Sequence, residues 1–233
     1  DSEVARLNAA HPAFDKKARE QRIDGFINTD PVRISWTRAL KNGLAKGTVL
    51  AFDGDRIVPS LYRPFMKQWV YFDRRLNEYI YQLPRLFPTA GTENLAIMVK
   101  QRWSGTGHLA LLVDAIPEFQ IAGGAQCFPL YLYDVEDSDA EDAAPQLFAT
   151  PKKKPSGTCR RDGITDAGLA HFQSAYPGET ITKEDVFYYV YGILHSADYR
   201  ERYADNLGKE LPRIPRVKTA ADFRAFIRAG RAL

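Results

Sequence analysis

The residues from Lys100 to Gly107, Lys-Gln-Arg-Trp-Ser-Gly-Thr-Gly, combine side-chain types that bind nucleic acids. Arginine can contact guanine through two hydrogen bonds, hydroxyls and backbone amides bind phosphates, and tryptophan can stack on or wedge against a base. The candidates for DNA contact in this loop are Lys100, Arg102, Trp103, Ser104 and Thr106. The alternative is a solvated hairpin in which Trp103 folds back as a lid on the core.

A second candidate is the pair Arg74 and Arg75, which directly follows Tyr71-Phe72-Asp73. Both arginines are candidates for DNA contact. The alternative, slightly preferred from the sequence alone, is a surface ion pair with Asp73 or Glu78, and such a pair contributes about 0–1 kcal/mol.

A third candidate is the basic run Lys152, Lys153 and Lys154 with the nearby Arg160 and Arg161. Such a run can follow a phosphate backbone, and each neutralised phosphate steepens the logarithmic salt dependence of binding by roughly 0.9. A solvated linker is an equally good interpretation. Six of the nine residues from Asp134 to Asp142 are acidic and would neutralise it.

Two further positions have side chains that can do covalent chemistry. His195-Ser196 could be read as a catalytic pair, but no acid is placed to orient the histidine, so a structural histidine is the preferred interpretation. Cys127 is expected to be a small buried apolar residue and not a nucleophile.

The sequence lacks the usual signatures of catalysis. Residues 43–48, Gly-Leu-Ala-Lys-Gly-Thr, do not have the spacing of a phosphate-binding loop, and the adenine-methyltransferase motifs and the Gly-x-Ser-x-Gly elbow are missing. The four histidines lie far apart, and no pair has metal-ligand spacing. We therefore predict that this segment performs no catalysis and holds no metal.

Composition is that of a soluble globular protein: 233 residues, 45% hydrophobic, 26% charged, with a net charge of +3. No apolar run approaches ~18 residues and no signal peptide opens the chain, so we expect a cytoplasmic protein. The two cysteines are too few for a disulfide framework. Residues 56–103 have eight basic and three acidic residues with nine aromatics, a local charge of +5.

Periodicity predicts an α+β fold, with a mostly antiparallel β-rich half and flanking helices, followed by a helical C-terminal half. The expected domains are a helical connector at 1–52, a β-rich half at 53–140, a flexible linker or loop at 141–161 and a helical half at 162–233. The last helix runs to Leu233 without a cap, so a fragment of a longer chain is expected.

Individual elements can also be placed. Asp30-Pro31 is expected to start a helix that Gly47 closes, and residues 48–52 to form a short strand. Thr182 and Asp185 predict the N-terminal cap of a long helix extending to Leu207.

Several strings together resemble the C-terminal part of Type I single-polypeptide (Type ISP) restriction-modification enzymes, over roughly residues 30–233. The strings are Ile34-Ser35-Trp36 with Leu40-Lys41, Ser60-Leu61-Tyr62-Arg63-Pro64-Phe65, Tyr71-Phe72-Asp73-Arg74-Arg75, Cys127-Phe128-Pro129-Leu130-Tyr131, Tyr188–Ser196, Tyr199-Arg200-Glu201-Arg202-Tyr203 and Leu211-Pro212-Arg213-Ile214-Pro215.

The resemblance implies the target recognition domain of a polypeptide whose other parts carry a nuclease, an ATP-dependent translocase and an adenine methyltransferase. It implies double-stranded DNA and the methyltransferase domain as partners, a monomer, and S-adenosylmethionine, ATP and Mg as cofactors of the parent only. The recurring strings are expected to be scaffold, which favours the loops at 100–107 and 152–161 for base contact. The alternatives are a docking module that couples methyltransferase and translocase and, more weakly, a His/Ser hydrolase.

Overall fold

The computed structural model of the protein describes residues 23, 27–28, 30, 32–33, 35–77, 80–100, 109–118, 121, 124–134 and 159–233. Its helices are α1 (Arg38–Lys46), α2 (Leu83–Leu86), α3 (Asp166–Gln173), α4 (Lys183–His195), α5 (Ala197–Arg202), α6 (Ala204–Leu207) and α7 (Ala220–Ala232). Its strands are β1 (Ile57–Arg63), β2 (Met66–Tyr71), β3 (Ala96–Lys100), β4 (Ala110–Val113), β5 (Ile116–Pro117), β6 (Ala125–Pro129), β7 (Tyr131–Asp134) and β8 (Cys159–Asp162). The prediction of an α+β fold is confirmed.

Within the described residues the strands form three small sheets with the orders β2-β1-β5, β4-β3-β6 and β7-β8. The β3–β4, β3–β6 and β7–β8 pairs are antiparallel, whereas β1 and β5 pair in parallel. Every residue of β3 is buried. A strand buried on both faces is apolar without alternation, which explains why Ala96–Val99 contains no polar residue.

The chain divides into two compact units. The first comprises the described residues up to Val58 and those between Trp69 and Tyr81; the second comprises Pro59–Gln68 and the described residues from Gln82 onward. The core of the first unit contains buried Leu40, Leu44 and Leu50 with Trp36 and Leu76 packed against them. Leu40 and Leu44 lie four residues apart on α1, so both face this core.

The second unit has the larger core, which the helical half and the β4-β3-β6 sheet build together. Phe223 of α7 is completely buried and its ring stacks on Tyr176, with centroids 4.8 Å apart. It also packs on Tyr189 of α4 at 4.7 Å. Helices α4 and α7 approach so closely because glycines face each other: a Cβ at Gly192 would lie 2.4 Å from the Phe226 carbonyl oxygen, and one at Gly230 2.1 Å from that of Tyr188.

Three tyrosine hydroxyls bind the backbone of the extended segment before α7. Tyr176 donates to the Val217 carbonyl at 2.7 Å, and Tyr199 donates to that of Arg213 at 2.9 Å. Tyr189 donates to the Pro215 carbonyl at 2.6 Å and accepts from the Val217 amide at 3.1 Å. Burial raises the pKa of Tyr189 to about 12, so its hydroxyl stays protonated and keeps donating.

The local capping predictions are largely confirmed. Thr182 and Asp185 form both hydrogen bonds of a capping box at the start of α4. Gly47 closes α1 with a φ of 82°, a conformation that glycine adopts without strain.

Three element predictions are wrong. Helix α1 begins at Arg38 because the Thr37 hydroxyl accepts from the Leu40 amide; Asp30 instead accepts from the Val32 amide two residues on. Residues 48–52 form neither helix nor strand. The helix expected to reach Leu207 stops at His195, since Ser196 is extended and its hydroxyl caps α5.

None of the helices in the described part of the chain combines the length and apolar character that crossing a bilayer requires. The predicted linker 141–161 lies outside the described residues except for its last three, which belong to β8. The four-domain division stays a prediction.

Candidate nucleic-acid interface

The β7–β8 ribbon presents two of the predicted DNA-contacting residues, Arg160 and Arg161. All four residues of β8 are exposed. Because successive side chains of a strand point to opposite faces, these two arginines lie on opposite faces of the ribbon. The ribbon therefore offers a cation on each face.

Each of these arginines is positioned by a neighbour on β7. The Arg160 guanidinium lies over the Tyr131 ring, 4.1 Å from its centroid. The Arg161 guanidinium lies 2.7 Å from an oxygen of Asp134, which Arg85 also approaches at 3.5 Å. Such exposed pairs contribute only about 0–1 kcal/mol, so a phosphate can compete with Asp134 for the same guanidinium.

The end of β8 is fixed to the helical half by Lys183 at the start of α4. Its ammonium lies 3.0 Å from Asp162 and 2.6 Å from Asp166. The hydrogen bond and the charge of Lys183 lower the pKa of the Asp166 carboxyl. These contacts neutralise the acidic residue that follows the two arginines.

Lys100 lies at the end of β3, opposite Ala125 of β6. Its residue is only 9% exposed, so a phosphate contact by its ammonium requires this side chain to become accessible. The rest of the predicted loop, with Arg102, Trp103, Ser104 and Thr106, and the run Lys152–Lys154 lie outside the described residues. Their role stays a prediction.

Arg74 and Arg75 belong to the first unit, where they follow β2. Arg75 makes the ion pair that was the alternative to DNA contact: its Nη2 lies 3.0 Å from Asp73, and its backbone amide donates to the same carboxylate at 2.7 Å. Arg56 Nη1 lies 2.6 Å from the same carboxylate oxygen that Arg75 Nη2 contacts. Arg74 is exposed.

Asp73 is the centre of this cluster, with a side chain only 2% exposed. Burial opposes its ionisation, but the hydrogen bonds from Arg75 and the charges of Arg75 and Arg56 outweigh burial and place the pKa of Asp73 below its ordinary value. Arg75 therefore has a structural role as the partner of a buried carboxylate.

The tip of the β1–β2 ribbon, residues 62–67, was not among the predicted contacts. Here Phe65 is 92% exposed and has a φ of 64°. The Arg63 guanidinium lies 4.2 Å from the Tyr62 ring centroid. Arg63 pairs with Glu118 at 3.4 Å, and Lys67 with Asp114 at 2.6 Å.

The sequence contained a signal for this tip. Pro64-Phe65 joins two predicted strands, and proline is favoured at the first of the two central residues of type I and type II turns; in type II the next residue has a positive φ. Glycine is usual there, so a phenylalanine is an exception. The string was instead interpreted as scaffold.

The geometry around His195 does not match the hydrolase alternative. Its Nδ1 lies 3.3 Å from the Arg200 guanidinium, and burial together with that charge lowers the pKa of His195. The Ser196 hydroxyl accepts from the Tyr199 amide as a helix cap. An arginine stands where a hydrolase needs a carboxylate. Among the described residues, no group of three His, Cys, Asp or Glu could hold a metal ion.

The two thiols should differ sharply in reactivity. Burial raises the pKa of Cys127 to about 11, so at pH 8 about one molecule in a thousand has a thiolate there. Cys159 is exposed on β8. We expect a disulfide reagent such as DTNB to react with one thiol rapidly in the native protein and with two after denaturation.

Substituting each cysteine in turn shows which thiol reacts rapidly. Cys159→Ser should abolish it and Cys127→Ser should leave it unchanged. Cys127 is only partly exposed, and two equally rapid thiols in the native protein would contradict its raised pKa.

A family model described as the Type ISP C-terminal specificity domain matches residues 3–233. A search of curated proteins returned no match.

Three solved structures with the same fold are complexes with DNA. A DrdV–DNA complex has 30% identity and a TM-score of 0.77, covering 98% of this chain and 20% of the other. The ATP-dependent Type ISP restriction-modification enzyme LlaBIII bound to DNA has 27% identity and a TM-score of 0.71, covering 93% and 13%. A nuclease-deletion mutant of the Type ISP enzyme LlaGI with a DNA substrate mimic has 26% identity and a TM-score of 0.69, covering 98% and 15%. The chain thus spans a fifth or less of these relatives.

Proposed function

Because this chain belongs to the family of Type ISP C-terminal specificity domains, we propose that it recognises a specific double-stranded DNA sequence within a restriction-modification enzyme. The observation that carries the proposal is the family match over residues 3–233. The three DNA-bound relatives of the same fold support it.

We infer that one set of side chains supplies affinity for DNA and another set supplies specificity for its sequence. Phosphate contacts position a protein on a duplex, while side chains that reach base edges read the sequence. Arg160 and Arg161 on the β7–β8 ribbon are suited to the first role. A ribbon of two strands fits the major groove, where each good two-bonded contact to a base discriminates by roughly 1–3 kcal/mol.

The proposal extends to the parent polypeptide. Its nuclease, ATP-dependent translocase and adenine methyltransferase would lie outside this segment, and S-adenosylmethionine, ATP and Mg would serve those parts. The segment would contact the methyltransferase domain, act as part of a monomer in the cytoplasm, and hold the duplex in register while the target adenine is flipped out.

A selection experiment tests the recognition directly. The 233-residue chain is incubated with duplexes whose central positions are randomised, bound duplexes are amplified, and the selected pool is sequenced. We expect one short motif to be enriched and the selected duplex to bind more tightly than a scrambled duplex at the same salt concentration. An unenriched pool at low salt would contradict sequence-specific recognition by this chain.

Arg160→Ala is expected to weaken binding of the selected duplex about tenfold, since it removes one cation from the ribbon. The slope of log K against log salt should fall by about 0.9 for a lost phosphate contact. Arg228→Ala, which removes an exposed arginine of α7, is the control matched in charge. Equal effects of the two substitutions in a filter-binding titration would remove the β7–β8 ribbon from the interface.

The docking module is a second candidate that one observation favours. Large apolar side chains are exposed on the β1–β2 ribbon, where Tyr62, Phe65 and Met66 lie near the turn and Trp69 is 73% exposed. Exposed apolar groups of this size mark interaction sites. If these apolar side chains bind only protein, substituting them will leave the affinity for DNA unchanged.

A further inference from the structure

The backbone at the tip of the β1–β2 ribbon is unfavourable for the residue it holds. Phe65 has a φ of 64°, a region in which a side chain with a Cβ is strained. Glycine would occupy this position without strain. The phenylalanine therefore does not improve the turn itself.

The Phe65 side chain does not contribute to the core either. It is 92% exposed, the most exposed of the large apolar side chains in the described residues. A strained conformation and a solvated aromatic ring both oppose stability at one residue. Strained residues of this kind cluster at active sites, ligand clamps and switch regions.

Cations flank the tip on both strands of the ribbon. Arg63 is the last residue of β1, and Lys67 is the second residue of β2. Their partners Glu118 and Asp114 hold them in exposed ion pairs, with about half of each basic side chain accessible. Exposed pairs stabilise little, so phosphates can replace the carboxylates.

The shape of the tip favours DNA over a protein partner. One ring stands at the apex of a narrow two-residue turn with a cation on either side. A stable protein interface buries about 800 Å² on each partner, which needs a broad patch, whereas a single side chain is enough to separate two base pairs.

We propose that Phe65 inserts between adjacent base pairs of the bound duplex as an apolar wedge, while Arg63 and Lys67 bind the phosphates on either side. The proposal rests on the proposed function, because it needs a DNA complex to form. It adds a role for the ribbon tip: local unstacking of the duplex, which makes recognition depend on how easily the sequence deforms.

The test uses the 233-residue chain and the selected duplex with 2-aminopurine placed at successive positions. The fluorescence of this base rises when it is unstacked. With the wild-type chain we expect a rise confined to one or two adjacent positions. Phe65→Gly should abolish the rise and weaken binding about tenfold.

Phe65→Gly also separates binding from folding. Since glycine relieves the strain at φ 64°, the variant should fold and its Tm should rise by about 2 °C. Phe65→Leu keeps an apolar wedge and should retain most of the fluorescence rise. Phe128→Ala, which removes another exposed phenylalanine on β6, is the control and should leave the signal unchanged.

The outcomes distinguish the two proposals. An unenriched selection with the wild-type chain overturns the proposed function itself. A selected motif with equal affinity and equal fluorescence for wild type and Phe65→Gly leaves recognition intact and overturns the wedge.

Discussion

Gly230→Ala is expected to lower the free energy of unfolding of the second unit by about 3 kcal/mol, because α4 and α7 touch through their backbones. The new Cβ would lie 2.1 Å from the Tyr188 carbonyl oxygen and 3.0 Å from the Gly192 amide nitrogen. Neither atom can turn aside as a flexible side chain would. The helices must separate, and Phe223 then loses its close packing on Tyr189.

Chemical denaturation measures this effect, with far-UV circular dichroism as the probe of helix. Alanine favours a helix interior by up to about 1 kcal/mol over glycine, so the observed loss is already net of that gain. Gly208→Ala is the matched control, since its Cβ would meet nothing closer than 3.7 Å. If Gly230→Ala lowers the free energy of unfolding no more than Gly208→Ala does, the two helices can separate without a loss of stability.

Asp73→Asn is expected to lower the free energy of unfolding of the first unit by about 3 kcal/mol at pH 7. Asparagine keeps the size of the side chain but removes the charge that Arg56 and Arg75 share. The two partly buried guanidinium groups, at 2.6 and 3.0 Å from the carboxylate, then lack their counter-charge.

The pH dependence identifies the charge as the cause. The pKa of Asp73 is lower in the folded protein than its ordinary value of 3.8, so its contribution is complete above that value and is lost as the pH falls through the folded pKa. The free energy of unfolding of wild type should therefore exceed that of Asp73→Asn by less and less as the pH falls from 5 into the strongly acidic range.

Urea unfolding followed by tryptophan fluorescence suits this experiment, since Trp36 and Trp69 both belong to the first unit. Asp55→Asn changes an exposed carboxylate in the same unit and is the control, for which we expect little loss of stability. A difference for Asp73→Asn that is the same at pH 7 and pH 3 would mean that packing, and not charge, is responsible.

Local interactions were the predictable part of this fold. Thr182 and Asp185 lie three residues apart, and both bonds of their capping box follow from that spacing. Asp30 failed as a helix start because Thr37 offers a cap nearer to the apolar residues of α1, and local sequence does not decide between two competent caps.

Contacts between distant residues could not be predicted. Gly192 and Gly230 are ordinary glycines in the sequence, and only the crossing of α4 and α7 makes each of them necessary. Asp73 illustrates the same limit: its pair with Arg75 was anticipated from adjacency, but its pair with Arg56, 17 residues away, was not.

For the candidate interface, residue types identified candidate DNA contacts, but the sequence did not show how the fold positions those side chains. The sequence singled out Arg160 and Arg161 by charge, but it did not show that Tyr131 and Asp134 position them. Phe65 was overlooked because its string was interpreted as scaffold on account of its resemblance to the family. Its positive φ and its exposure are properties of the folded chain.

The tyrosines that hold the segment before α7 bind only its main chain, through the carbonyls of Arg213, Pro215 and Val217 and the amide of Val217. Every amino acid has a main-chain carbonyl group, so these hydrogen bonds do not depend on which side chains the segment exposes to solvent. Proline is barred at position 217, where an amide hydrogen is required, and the Val217 side chain packs partly against the core. The segment can thus change its outward chemistry over evolutionary time, or accept a reporter group in the laboratory, while its path over the domain stays the same.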